Sequence, residues 1–128
     1  MAVITPVVKT IGTGDGSLIS VVWTALTTTN TSGTPVPAAE WADRTVQFAG
    51  TFGAGGTVKL LGTLDANPLS SNYIDLTDAQ GNAISKTALS IEAVVELCQW
   101  VKPFVSAGDG TTSINVTLLM RRANPLRT

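Results

Sequence analysis

Few side chains in this sequence can do chemistry. The 128-residue chain has no histidine and one cysteine, Cys98. Without histidine the imidazole triads and the usual imidazole metal sites are excluded together. One thiolate cannot build a tetrahedral zinc site, and it has no partner for an intramolecular disulfide. Cys98 therefore reads as a small buried hydrophobe, with no support for passage through an oxidising compartment. Asp65, Asp75 and Asp78 are the residue type of a glycosidase acid–base pair. Asp75 and Asp78 flank a turn, however, where aspartate bonds its own backbone. Ser85-Lys86 has the types of a Ser–Lys nucleophile pair, but adjacent residues on a strand or helix do not face each other.

The glycine cluster Gly12–Gly16 lacks the Lys-Ser/Thr and the helix of a phosphate-binding loop, so it reads as a turn. Asp15 and Asp109 stand between glycines without the spacing of a calcium loop. Asn30-Thr-Ser32 and Asn115-Val-Thr117 match the glycosylation acceptor pattern, which matters only behind a secretory signal. MAVITPVVKT has no apolar run long enough for one. No nucleophile, base and metal ligand can be assembled, so the reading is non-enzymatic and free of cofactors. That leaves the aromatic side chains. Trp23 and Trp100 lie in apolar runs that suit a core. Trp41, in a Pro/Ala-rich approach to a strand, is the candidate interface anchor. With Tyr73 it is also the pair that a sugar platform would use.

The elements that must position these residues are strands. In Arg44–Leu64, Val46, Phe48 and Phe52 share one face of a two-residue repeat; after Gly53-Ala54-Gly55-Gly56, Val58, Leu60 and Leu64 resume it. Alternation of this kind describes half-buried strands, and the small residues between them predict a hairpin. Leu18–Thr29 predicts a buried strand, apolar on both faces until its threonines, so one face meets a second sheet or another subunit. A loop follows over Thr27–Pro37, then a loop over Asp65–Ser71, a short strand over Tyr73–Thr77 and a turn over Asp78–Asn82. Within Ile84–Leu97, Ala88, Ile91, Val95 and Cys98 keep helical spacing, which predicts a helical turn or two. Trp100–Val105 predicts a strand, at an edge or bulge because of Pro103. Gly108-Asp109-Gly110 predicts a hairpin turn. In Ser113–Arg121, Ile114, Val116, Leu118 and Met120 point inward.

The expected fold is all-β, an antiparallel sandwich or jelly roll with at most one short helical segment. Residues 1–17 form an extended arm, 18–122 the sandwich and 123–128 a short basic tail. Charged residues are 13% of the chain, against roughly 25% in an average domain. The net charge of −1 offers little long-range attraction to nucleic acid or to an anionic membrane, so neither is an expected partner.

WADRTVQFAGTFGAGGTVKLLGT and QWVKPFVSAGDGTTSINVTLLMRR resemble the small β-rich structural proteins of tailed bacteriophages, most closely the head decoration, or cement, class. The likeness spans roughly residues 40–64 and 91–122. It implies a sandwich or jelly-roll domain made in the host cytoplasm and docked on the outer surface of the virion capsid. Partners implied are the major capsid protein, whose neighbouring copies it bridges, and copies of itself in a dimer or trimer. A tail or neck role, or a carbohydrate-binding sandwich, is the alternative. The physical logic of a cement protein adds contact residues. Val3, Ile4, Val7 and Val8 belong to an apolar arm able to add a strand to a neighbour's sheet. Trp41 anchors, and Arg121, Arg122 and the tail's Arg127 pair with acidic capsid surface.

Overall fold

The computed structural model describes residues 3–11 and 16–122, and among them there is no helix. Ten strands occur: β1 (Val7–Thr10), β2 (Leu18–Leu26), β3 (Val36–Pro37), β4 (Asp43–Thr51), β5 (Thr57–Thr63), β6 (Ile74–Asp75), β7 (Ser85–Lys86), β8 (Ser90–Ala93), β9 (Trp100–Ala107) and β10 (Ser113–Arg121). They form two antiparallel sheets. The first runs β1-β2-β10-β4-β8; the second runs β3-β9-β5-β6, with β7 also paired to β5. The fold is a β-sandwich.

Period-two alternation is what closes it. Ile114, Val116 and Leu118 of β10, Val46 and Phe48 of β4, and Val58 and Leu60 of β5 are all 0% exposed. Each such side chain contributes about 1.5–3 kcal/mol by leaving water. Trp23 sits among them, its indole N–H donating to the Thr34 carbonyl at 3.0 Å. The β2·β10 ladder slips by one residue where Ala25, at φ 63°, bulges. The Asn115 side chain accepts the Ala25 amide at 2.9 Å, so the bulge leaves no orphaned donor.

The structure revises several expectations about connectivity. Arg44–Leu64 is not a hairpin, because β4 belongs to the first sheet and β5 to the second. The chain arches across the core instead. Alternation reports which side of a strand is apolar, and that is the same whether its successor lies beside it or opposite it. A Cβ at Gly56 would lie 1.7 Å from the Phe52 carbonyl oxygen, so only glycine permits this crossing. Gly108–Gly110 likewise joins β9 to β10 across the sheets, not within one. The two arches are tied together. Asp109 accepts the Ala54 amide at 2.9 Å, and the Thr112 hydroxyl donates to the Phe52 carbonyl at 2.7 Å.

Ile84–Leu97 is extended, not helical. Ile84, Val94 and Cys98 are buried while Ile91, Val95 and Leu97 are exposed, which breaks the helical stripe. β7 and β8 lie in different sheets, and the Lys86–Glu92 ion pair at 3.1 Å spans them. β9 is an interior strand despite Pro103. The Pro103 carbonyl accepts the Gly33 amide at 3.1 Å, so its backbone groups face residues 31–34. The ladder to β5 therefore loses no donor. The arm lies on its own chain: β1 pairs with β2, and Ile4 bridges to Gly33. The turn expected at Gly12–Gly16, apart from Gly16, and the tail at 123–128 with Arg127 lie outside the described residues.

Candidate interaction surface

The candidate contact residues separate into three settings. Val3, Val7 and Val8 are more than half exposed. Ile4 is half-buried against the core; its amide donates to the Ser32 carbonyl at 2.9 Å and its carbonyl accepts from Thr34 at 2.8 Å. It closes one margin of the sandwich. Trp41 is only 5% exposed, so its ring belongs to the core and does not stand out as an anchor. A tight turn, with the Trp41 amide donating to the Ala38 carbonyl at 3.2 Å, folds it inward. The Arg122 guanidinium caps the ring at 4.7 Å and pairs with Glu40 at 2.6 Å. Arg121 pairs with Asp43 at 2.6 Å. Both arginines are thus matched within the chain.

The aromatic side chains do not assemble a sugar platform. Trp41 is buried, and Tyr73 lies under the Lys102 ammonium at 4.5 Å. Trp100 was expected in the core, but it stands on the outer side of the second sheet. Its indole N–H donates to the Ala66 carbonyl at 3.0 Å, and the Tyr73 hydroxyl donates to Pro68 at 2.8 Å. These two rings hold loop 64–73 over that face. Lys59 and Asp75 add an ion pair there at 3.3 Å. The second sheet's outer face is consequently charged and covered by its own chain.

Among the described residues the first sheet's outer face is nearly uncharged and carries no covering loop. Cross-strand partners share a face, which places Val7, Val22, Thr117, Gln47 and Ile91 in one row across all five strands. The next row is Lys9, Ser20, Leu119, Thr45 and Ala93. Each row crosses about 19 Å at ordinary strand spacing. Lys9 is the only charge in the two rows; the Asp43–Arg121 pair stands at their margin. Strand period alone identified the outward residues of β4 and β10. The pairing order, which assembles them into rows, has no signal in the sequence.

A cleft of about 430 Å³ was not anticipated. Leu64, Ile74 and Leu97 rim it, all more than half exposed, with Gly62, Leu76 and Cys98 beneath. At its edge Glu96 accepts both the amide and the hydroxyl of Thr77. Burial alone would raise the Glu96 carboxyl, but those bonds and the nearby Arg44 charge hold it below its usual range. Burial, with the Glu96 charge, raises the Cys98 thiol, which keeps it protonated and inert. Among the described residues no group of three or more Cys, Asp or Glu side chains is placed to hold a metal ion. Among those residues no helix is long and apolar enough to cross a membrane.

No protein-family model, curated protein or solved structure matches this chain.

Proposed function

We propose that this chain is a non-enzymatic structural protein of a tailed-phage particle, decorating the outer surface of the capsid and bridging copies of the major capsid protein. One observation carries the reading: the two outer faces of the sandwich differ. One is charged and overlaid by loop 64–73; the other, among the described residues, is bare, nearly uncharged and crossed by rows of Val, Thr, Gln, Leu and Ile. Charge depletion with scattered apolar side chains is the composition of a protein-binding patch. A rigid sheet presents that patch without an ordering cost at binding. Repetition over a symmetric lattice turns a weak single contact into a stable shell.

The test is co-sedimentation with empty heads assembled without this protein, comparing the native chain with Gln47→Lys and Thr117→Lys. Saturable binding of the native chain at a fixed ratio to the capsid protein is expected. Both lysine variants should bind at least tenfold more weakly while melting at nearly the native temperature. Binding that both variants retain would remove this face from the contact. Recovery of the native chain in tail fractions alone would replace decoration by a tail or neck role.

A further inference from the structure

The two edge strands of the first sheet are finished differently. At β8 the inward-facing Glu92 reaches Lys86 of the other sheet at 3.1 Å. An inward charge on an edge strand opposes addition of a further strand. β1 lacks this device. Val7 and Val8 point to opposite faces and are 55% and 56% exposed. The backbone shows which groups are open. The Ile11 amide donates to the Leu18 carbonyl at 2.9 Å, so Val7, Lys9 and Ile11 turn their backbone groups toward β2. Val8 and Thr10, with the Pro6 carbonyl, turn theirs to the free side. Among the described residues no strand pairs there. Towards the N-terminus the free side ends at Ile4, which is bonded to Ser32 and Thr34.

We propose that Pro6–Thr10 pairs with the same segment of a second copy, antiparallel about a two-fold axis through Val8. The reading is independent of capsid binding. In this register the two Val8 residues exchange a pair of N–H···O bonds, and each Thr10 amide donates to the other copy's Pro6 carbonyl. Pro6 has no N–H, and the register asks none of it. Each Lys9 lies opposite a Val7. Centring the pair on Lys9 instead would oppose two ammonium groups directly, and like charges opposite one another are destabilising. Donor pattern and charge select the same alignment. The contact is isologous and closes at two copies. It also joins the two bare outer faces into one ten-stranded surface. Five residues a side bury less than the ~1,200 Å² of a standard stable interface, so the dimer dissociates in dilute solution.

Sedimentation velocity on the full chain from about 10 μM to 1 mM reads the association, with the micromolar-to-millimolar range set by that small area. Val8→Pro removes only the free-side N–H and leaves the β2 ladder intact; it should be monomeric throughout with its melt little changed. Val8→Cys should form a symmetric disulfide under mild oxidation at least tenfold faster than Ile91→Cys on the opposite edge. A hydrogen-bonded antiparallel pair holds its Cα atoms about 5.5 Å apart, within disulfide reach. Cys98 is 5% exposed and is common to both variants. A chain monomeric to 1 mM whose Val8→Cys variant cross-links no faster than Ile91→Cys overturns the proposal. So does a dimer that Val8→Pro retains, or any assembly other than a dimer. A monomer whose Val8→Pro variant loses head binding would give the edge to a capsid segment instead.

Discussion

Gly33 lies where the arm, the segment after β2 and the interior strand β9 converge, and Gly33→Ala tests whether that junction seals the sandwich. A Cβ at Gly33 would lie 2.5 Å from Cδ1 and 2.6 Å from Nε1 of Trp23, and 2.7 Å from Cδ of Pro103. Ordinary contact needs roughly 1 Å more. Trp23 is 0% exposed and Pro103 is fixed in a ladder, so neither can retreat. Two responses are open. If the segment stays, overpacking costs about 1–3 kcal/mol. If it lifts, the bonds from Trp23 to the Thr34 carbonyl and from Gly33 to the Pro103 carbonyl are lost. At about 1 kcal/mol each, that route also costs about 2 kcal/mol. The unfolding entropy of a chain this size is about 0.27 kcal/mol/K, so the melting temperature should fall about 7 °C. Amide exchange at Gly33 should accelerate before that of β10, because its bond to the Pro103 carbonyl is the one that opens when the segment lifts. Gly110→Ala is the control: nothing lies within 4 Å of its Cβ position, and it should melt near the native temperature. A loss below about 0.5 kcal/mol for Gly33→Ala would show that the junction gives way without strain, and the sealing argument would fall.

The remaining predictions concern the arches and the bulge. Hydrogen bonds from the Thr111 hydroxyl, the Ala54 amide and the Thr111 amide pull the Asp109 carboxyl down from 3.8 to about 2. Because the folded value is the lower one, this stabilisation is complete above about pH 4 and is lost as the pH falls through 2. Asp109→Ala should therefore flatten the acid limb of a stability–pH profile between those values; an unchanged slope would refute the clamp. Asn115→Ala should cost about 1 kcal/mol in urea melts by orphaning the Ala25 amide, while Asn115→Asp, which keeps an acceptor, stays near native. Equal losses in the two would mean that the bulge does not depend on that bond.

The parts of this fold that were legible in the sequence are those where a strand meets the core locally. Ile114, Val116, Leu118 and Met120 alternate because one side of β10 faces the opposing sheet, and no other part of the chain is needed to see it. Partnership is not local. The arch after β4 and a hairpin turn call for the same small residues, and Val46 and Val58 look alike whether their strands are neighbours or opposites. The Ile84–Leu97 spacing failed for a related reason: Ala88, Ile91, Val95 and Cys98 keep a helical interval by chance, and only Cys98 of the four is buried, because β7 and β8 join different sheets. Trp41 was misplaced because Arg122, which covers it, is supplied from the far end of the chain. The contact surface follows the same rule. Thr117 and Gln47 are ordinary outward residues in their own strands. They become one face only when β10 is placed between β2 and β4, and that face is bare only because Trp100 and Tyr73 hold the covering loop on the other sheet. Pairing order thus fixes the docking surface, and substitutions at Trp100 that free loop 64–73 should leave the first sheet's face, and any binding through it, intact.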